Sequence, residues 1–168
     1  MRTLYIAAAA AVAVAIGVLV GALAASGGSS ASSASEAQMR RNADLWEIDR
    51  IEKKFHQATT RKDLGLMMSL YAPDATFTFP GTIASGKQQI RNFWRTSKSF
   101  THDWISDTPA YKVRITLNGD RGTLYFECHY VEKNGVMATV TAADAEVARI
   151  GGRWVITNLA GASATLKA

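Results

Sequence analysis

Asp144 and His102 are the residues of this sequence best placed to do acid–base chemistry. Asp144 is an even number of positions from Val136, Val140 and Ile150, and alternate residues of a regular strand lie on the same face. A regular strand would therefore place the Asp144 carboxylate on an apolar face. Burial there raises a carboxyl pKa and suits a general acid or base, and a histidine beside an apolar pocket can shuttle protons near neutral pH. The alternatives are a bulge that turns Asp144 to solvent and a structural role for His102 at the surface.

Two further reactive side chains, Cys128 and His129, are adjacent on a predicted strand and therefore point to opposite faces. This arrangement excludes a thiolate–imidazole pair. As the only cysteine, Cys128 excludes an internal disulfide, and we interpret it as a small buried apolar residue. Neither a metal-ligand spacing such as His-x-x-x-His nor a glycine-rich phosphate loop is found, so we predict no metal and no cofactor.

Three helices are predicted in the first half of the folded part. Apolar residues recur at steps of three and four over residues 42–60, at Leu45, Ile48, Ile51, Phe55 and Ala58. Asp63 is a candidate cap for a second helix over residues 64–70, and Ser85 for a third over residues 86–97.

The remaining pattern predicts strands. Residues 75–79 alternate in polarity, as do residues 111–117, and the next strand places Leu124, Phe126, Cys128 and Tyr130 on one face. Hairpin turns are predicted at Asn118-Gly119, Asn134-Gly135 and Gly151-Gly152, with a long strand over residues 136–150 and a last strand around Trp154. The order of elements predicts an α+β fold with helices packed on one face of a curved antiparallel sheet.

An apolar pocket is expected where the helices meet the sheet. The side chains predicted to line it and bind a ligand are Phe55, Phe77, Phe79, Trp94 and Tyr130. Because few polar groups can reach that region, the pocket suits a small hydrophobic molecule oriented by one or two hydrogen bonds.

Five segments in order resemble the SnoaL-like branch of the nuclear transport factor 2-like superfamily, over roughly residues 43–160. They are Lys62-Asp63-Leu64, Leu70-Tyr71-Ala72-Pro73-Asp74-Ala75-Thr76-Phe77, Gly86-Lys87-Gln88-Gln89-Ile90-Arg91-Asn92-Phe93-Trp94, Gly119-Asp120-Arg121-Gly122 and Gly152-Arg153-Trp154-Val155-Ile156. The resemblance implies a cone-shaped barrel, in which three N-terminal helices pack on a strongly curved antiparallel sheet and an apolar pocket opens at the wide end. It also implies a homodimer through the outer face of the sheet. The superfamily includes isomerases, dehydratases, cyclases and binding proteins, and fold alone does not choose among them.

The catalytic positions of two relatives are matched only in part. Where ketosteroid isomerases carry an aspartate base before a proline, this sequence has Phe79, and their helix-1 tyrosine falls at Phe55. Their second acid falls near Asp144, which also resembles the pocket aspartate of SnoaL-like cyclases. Scytalone dehydratase-like members have a tyrosine–aspartate pair where Thr59 and Thr60 stand, and two histidines in regions comparable to His102 and His129.

The N-terminal part predicts export from the cytoplasm. Residues 1–25 have a basic start and an uncharged run from residue 4, typical of either a cleaved signal peptide or a membrane anchor. Residues 26–40 are rich in Ser and Gly, which indicates a linker, and residues 41–166 form the predicted SnoaL-like domain. Only an uncleaved residue 4–25 segment would contact a membrane.

The composition favours one globular domain, since 48% of the 168 residues are apolar and 20% are charged. The net charge of +5 comes from basic residues that occur at most in pairs, with acids among them, so nucleic-acid binding is not predicted. Two functional hypotheses remain. One is a module that binds a small hydrophobic molecule without chemistry; the other is a cofactor-free lyase, isomerase or cyclase that uses Asp144 and His102.

Overall fold

The computed structural model describes the backbone of residues 6–165 and the side chains of residues 32–110 and 112–164. The helices are α1 (Ile6–Arg61), α2 (Leu64–Ser69), α3 (Gly86–Thr96) and the short α4 (Lys98–Thr101), with a 3₁₀ turn at Ala110–Lys112. The strands are β1 (Tyr71–Phe79), β2 (Thr82–Ser85), β3 (Ile105–Asp107), β4 (Arg114–Asn118), β5 (Arg121–Val131), β6 (Met137–Ile150) and β7 (Arg153–Thr165). The fold is therefore α+β, as predicted.

The chain divides into two compact units between Ala43 and Asp44. Residues 26–40, the predicted linker, are helical in the structure as part of α1. The side chains of the predicted signal peptide or anchor, residues 1–25, lie outside the described residues, and the division of the chain into export segment, linker and domain stays a prediction. Within the described residues, no helix is long and apolar enough to span a membrane.

The predicted helices form for the expected reasons. In the second unit, α1 buries Ile48, Ile51, Phe55 and Ala58 on one stripe. Asp63 caps α2 by accepting a hydrogen bond from the Leu66 N–H at 2.8 Å. At the start of α3 the capping bond is different from the prediction, because the Gln89 side chain accepts from the Ser85 N–H at 3.0 Å while the Ser85 side chain makes no cap.

The described strands form one curved sheet in the order β2-β1-β7-β6-β5-β3, with β4 also paired to β5. The sheet is mixed rather than wholly antiparallel as predicted, because β1 pairs with β7 in parallel. The hairpins that join β4 to β5, β5 to β6 and β6 to β7 force those pairs to be antiparallel. No hairpin joins β1 to β7, so nothing local fixes their relative direction. The strand predicted over residues 111–117 begins later, since residues 110–112 form the 3₁₀ turn.

The inner face of β5 is the face predicted for it. Leu124, Phe126, Cys128 and Tyr130 are all buried, and the residues between them are partly exposed. Each inner residue of β5 pairs with an odd-numbered residue of β6, for example Phe126 with Ala143 and Cys128 with Thr141. This register determines which face of β6 meets the core.

Candidate active site or binding cavity

A cavity of about 550 Å³ lies between the concave face of the sheet and the helices of the second unit. Its walls come from α1, α3, α4 and strands β1, β2, β5, β6 and β7. This volume falls within the range of about 300–1,000 Å³ that is usual for small-molecule sites. The cavity is therefore large enough to hold a ligand rather than a few waters.

Aromatic rings form most of the apolar wall. The ring of Phe55 lies 5.2 Å from that of Trp94 in an edge-to-face contact, and the Phe77 ring lies 4.5 Å from Phe93. Phe77 and Phe79 are stacked at 6.3 Å. These separations are those of favourable aromatic pairs, so the wall is held in place by its own contacts.

Gly161 on β7 allows Phe79 to lie close to the sheet. A Cβ atom at this position would stand 2.8 Å from Cδ2 of the Phe79 ring, which is closer than carbon atoms approach without displacement. The absence of a side chain at residue 161 therefore sets the position of one wall of the cavity.

Polar side chains without charge line another part of the cavity: Tyr130 and Cys128 of β5, Thr141 of β6 and Ser99 of α4. The Tyr130 hydroxyl interacts with the side chains of Ser99, Thr141 and Cys128. Burial raises the pKa of the Cys128 thiol to about 12 and raises the pKa of Tyr130 well above its ordinary value. Both side chains are therefore neutral at physiological pH.

The charged residues of the described lining are Lys98 and Glu132. Both are exposed, so their charges are solvated at the open side of the cavity. Among the residues with described side chains, no group of three His, Cys, Asp or Glu residues is arranged to hold a metal ion. The part of the cavity lined by Tyr130 and Thr141 thus offers hydrogen bonds but no ionised group.

All five residues predicted to bind a ligand line this cavity: Phe55, Phe77, Phe79, Trp94 and Tyr130. Their location agrees with the sequence analysis, while their role in binding stays a prediction. Trp104, whose ring lies 5.6 Å from that of Tyr130, also lines the cavity and was not predicted. The hydroxyls of Ser99 and Thr141 were not predicted either, because serine and threonine carry no periodic signal that separates a pocket from the surface.

The structure corrects the expected position of Asp144. This residue is exposed on the outer face of β6, opposite Tyr125 of β5, while its neighbours Ala143 and Ala145 are buried. Val136 and Ile150, the even-numbered apolar residues that suggested a buried face, are themselves exposed near the ends of the strand. Asp144 does not line the cavity, and no bulge interrupts the β5–β6 pairing at that point.

His102 is likewise outside the cavity. It is exposed at the end of α4, where its ring lies 4.9 Å from Trp104 and its Nδ1 lies 3.3 Å from the Thr101 hydroxyl. The cavity therefore does not bring His102 and Asp144 together as an acid–base pair.

A buried polar cluster on α1, which sequence analysis also missed, lies outside the cavity lining. Glu52 and His56 are 4% and 6% exposed, and His56 Nε2 lies 3.2 Å from Glu52 Oε1. His56 Nδ1 lies 2.7 Å from the Ser106 hydroxyl of β3, and Thr108 also contacts the ring. The i,i+4 spacing of Glu52 and His56 was the available signal. The cluster joins α1 to β3.

Known proteins resemble this chain chiefly in structure. A hexachlorocyclohexane dehydrochlorinase from Novosphingobium barchaimii superposes with a TM-score of 0.66 at 15% identity, over 77% of this chain and 92% of that one. An NTF2-like protein with a cystatin-like fold from Novosphingobium aromaticivorans gives 0.66 at 16% identity, over 75% and 85%. A ketosteroid isomerase-like protein from Erwinia carotovora atroseptica gives 0.60 at 16% identity, over 74% and 99%. At these identities the likeness establishes the fold alone.

No curated protein matches the sequence significantly. The model of the SnoaL-like domain family, however, matches residues 53–156, which is more than half of the chain and includes most of the secondary structure around the cavity. Together with the helices, the curved sheet and the cavity between them, this match establishes that the chain belongs to the SnoaL-like domain family.

Proposed function

We propose that this protein binds a small hydrophobic molecule in the aromatic cavity and performs no chemistry on it. The observation that supports the proposal is that one cavity combines an extensive aromatic wall with polar side chains that are neutral. Apolar ligands gain free energy from leaving water, at roughly 25 cal/mol per Å² of apolar surface buried. The aromatic wall supplies that surface.

A catalytic role has weaker support from the same residues. General acid–base catalysis needs a group that exchanges a proton near the working pH. Cys128 and Tyr130 stay protonated because burial raises their pKa values, while Lys98 and Glu132 are solvated at the open side. Asp144 and His102 are outside the cavity, and the described lining contains no histidine and no buried carboxylate.

The test is a fluorescence titration of the full chain with N-phenyl-1-naphthylamine, a neutral apolar dye. We expect saturable binding that is weakened at least about tenfold by Ala143→Leu, because Ala143 is buried in the cavity wall and leucine adds three carbon atoms there. The control is Ala160→Leu, the same change at an exposed residue of β7. The absence of saturable binding to the wild type, or equal affinity in folded Ala143→Leu, would contradict the proposal.

We also propose that the protein is exported, on the basis of the uncharged run in residues 4–25. A reporter fused after Ala168 should be found outside the cytoplasm, and deletion of residues 2–25 should keep it inside. Mass spectrometry of the mature N-terminus distinguishes cleavage after Ala24 from an intact anchor. A full-length fusion that stays in the cytoplasm would refute export.

A further inference from the structure

Tyr130 carries the most deeply buried hydroxyl of the described cavity wall. It is 1% exposed and points inward from β5, where its ring lies 5.6 Å from that of Trp104. The pairing of β5 with β6 shifts register directly after it, from Tyr130 opposite Thr139 to Val131 opposite Met137. Irregularities of this kind re-aim side chains near sites, so the local strand geometry fixes where Tyr130 is directed.

The groups around the Tyr130 hydroxyl are themselves neutral. Ser99 approaches from α4 and Thr141 from β6, and both line the cavity and interact with Tyr130. A hydroxyl both donates and accepts a hydrogen bond and can rotate. Ser99 and Thr141 can therefore supply the tyrosine oxygen with donors. The Cys128 sulfur, which also interacts with Tyr130, is only a weak acceptor, so a ligand oxygen can replace it as the acceptor of the phenolic O–H.

The charge distribution limits what this region can accept. The charged residues of the described lining, Lys98 and Glu132, have opposite signs and are exposed at the open side. A carboxylate or ammonium carried to Tyr130 would lose its hydration without meeting an opposite charge, which is strongly unfavourable. A neutral oxygen that accepts one hydrogen bond meets no such penalty.

We propose that Ser99, Tyr130 and Thr141 form the polar subsite of the cavity, and that this hydroxyl cluster selects uncharged apolar ligands that carry one acceptor oxygen, such as a ketone. The inference rests on the proposed binding function and adds the chemical class of the ligand. Tyr130 donates to the ligand oxygen, and Ser99 and Thr141 position the tyrosine. The aromatic wall holds the remainder of the ligand.

Three naphthalene probes of similar size test the hydroxyl cluster: 2-acetylnaphthalene, a ketone; 2-ethylnaphthalene, which lacks the oxygen; and 2-naphthoate, an anion. Their affinities for the full chain are measured by displacement of N-phenyl-1-naphthylamine. Tyr130→Phe should lower the affinity for 2-acetylnaphthalene roughly 3- to 10-fold, the effect of one hydrogen bond, and should leave 2-ethylnaphthalene unchanged or slightly tighter. The wild type should bind 2-naphthoate most weakly.

The matched control removes another hydroxyl from the same wall. Thr139 lines the cavity, but its Oγ1 already donates to the Ala164 carbonyl at 2.8 Å, so Thr139→Val should not change the ratio of ketone to hydrocarbon affinity. Thr141→Val provides a second variant of the cluster if Tyr130→Phe does not fold, and it should weaken ketone binding selectively.

The outcomes separate this inference from the proposed function. If no probe binds, the binding function itself is wrong. If the probes bind but the cluster variants change ketone and hydrocarbon affinity equally, or 2-naphthoate binds most tightly, the function stands and the hydroxyl cluster is not the selective subsite.

Discussion

Replacing His56 with alanine should destabilise the fold far more than its position on the edge of a helix suggests. The imidazole lies between α1 and β3, with Nε2 at 3.2 Å from Glu52 Oε1 and Nδ1 at 2.7 Å from the Ser106 hydroxyl. Nε2 also contacts the Thr108 hydroxyl, which donates to the Glu127 carbonyl, so a hydrogen on Nε2 is directed to Thr108 while the Glu52 carboxylate lies beside the ring. The other oxygen, Glu52 Oε2, is buried without a hydrogen-bond partner among the described residues and lies 3.8 Å from Lys53 Nζ.

The magnitude follows from what the substitution leaves behind. Removing the ring takes from Glu52 Oε1 its polar neighbour at 3.2 Å and leaves the Ser106 hydroxyl without its His56 partner, while both residues stay buried. An unsatisfied buried polar group costs ~1–3 kcal/mol. Because Glu52 and Ser106 both lose a polar neighbour, we expect His56→Ala to lower the free energy of unfolding by about 2–5 kcal/mol. Glu52→Gln should cost less, since an amide is easier to bury than a carboxylate.

Urea unfolding followed by tryptophan fluorescence provides the measurement, with the free energy extrapolated to zero denaturant. The control is His102→Ala, the same substitution at an exposed histidine, which should change stability by no more than about 0.5 kcal/mol. A loss of less than about 1 kcal/mol in His56→Ala would refute the reasoning. It would mean that the His56–Ser106 contact does not hold α1 to β3.

Three other predictions concern the sheet. Hydrogen bonds from His129, the larger cause, and from Lys112 lower the pKa of Glu127 from 4.5 to about 2. This carboxylate therefore binds fewer protons in the folded state than in the unfolded state. The contribution of Glu127 to the free energy of unfolding is complete above pH 4.5 and should be lost as the pH falls toward 2. In acid-unfolding curves, Glu127→Gln should make the free energy of unfolding depend less on pH over this range. Gly161→Ala should displace the Phe79 ring and weaken N-phenyl-1-naphthylamine binding, and an unchanged affinity would contradict the close contact. The outer face of β5 should form a homodimer, so light scattering should give twice the chain mass and Tyr125→Glu should give a monomer; a monomeric wild type at micromolar concentration would exclude it.

The helices and hairpins were predictable because their signals are local. The apolar stripe on α1 and the Asp63 cap need only a few residues of sequence, and Asn118-Gly119 fixes the turn between β4 and β5. The parallel pairing of β1 with β7 joins residues more than 80 positions apart, such as Thr76 and Asn158, and no short pattern encodes it. The contacts of His56 with Ser106 and Thr108 join residues 50 and 52 positions apart, which no short pattern encodes either.

The error at Asp144 has a specific physical origin, and it bears on function. Alanines stand on both faces of β6 around this residue, at Ala142 and Ala148 on one side and Ala143 and Ala145 on the other. Because alanines occur on both faces, the sequence of β6 alone does not indicate which face is buried. The large inner residues of β5, Leu124 and Phe126, pair with Ala145 and Ala143 and so determine the register.

The same register explains why the sheet supplies hydrogen bonds rather than a carboxylate to the cavity. It places Thr141 beside Cys128 and Ala143 beside Phe126 on the inner face, and turns Asp144 outward next to Tyr125. A slip of one residue would bring the carboxylate inward but would also bury Glu146, which follows it on the same face. Two buried carboxylates without counter-charges would cost far more than alanine burial gains. The observed register is therefore the one the chain can stabilise, and the neutral polar part of the cavity is a consequence of folding energetics as much as of ligand recognition.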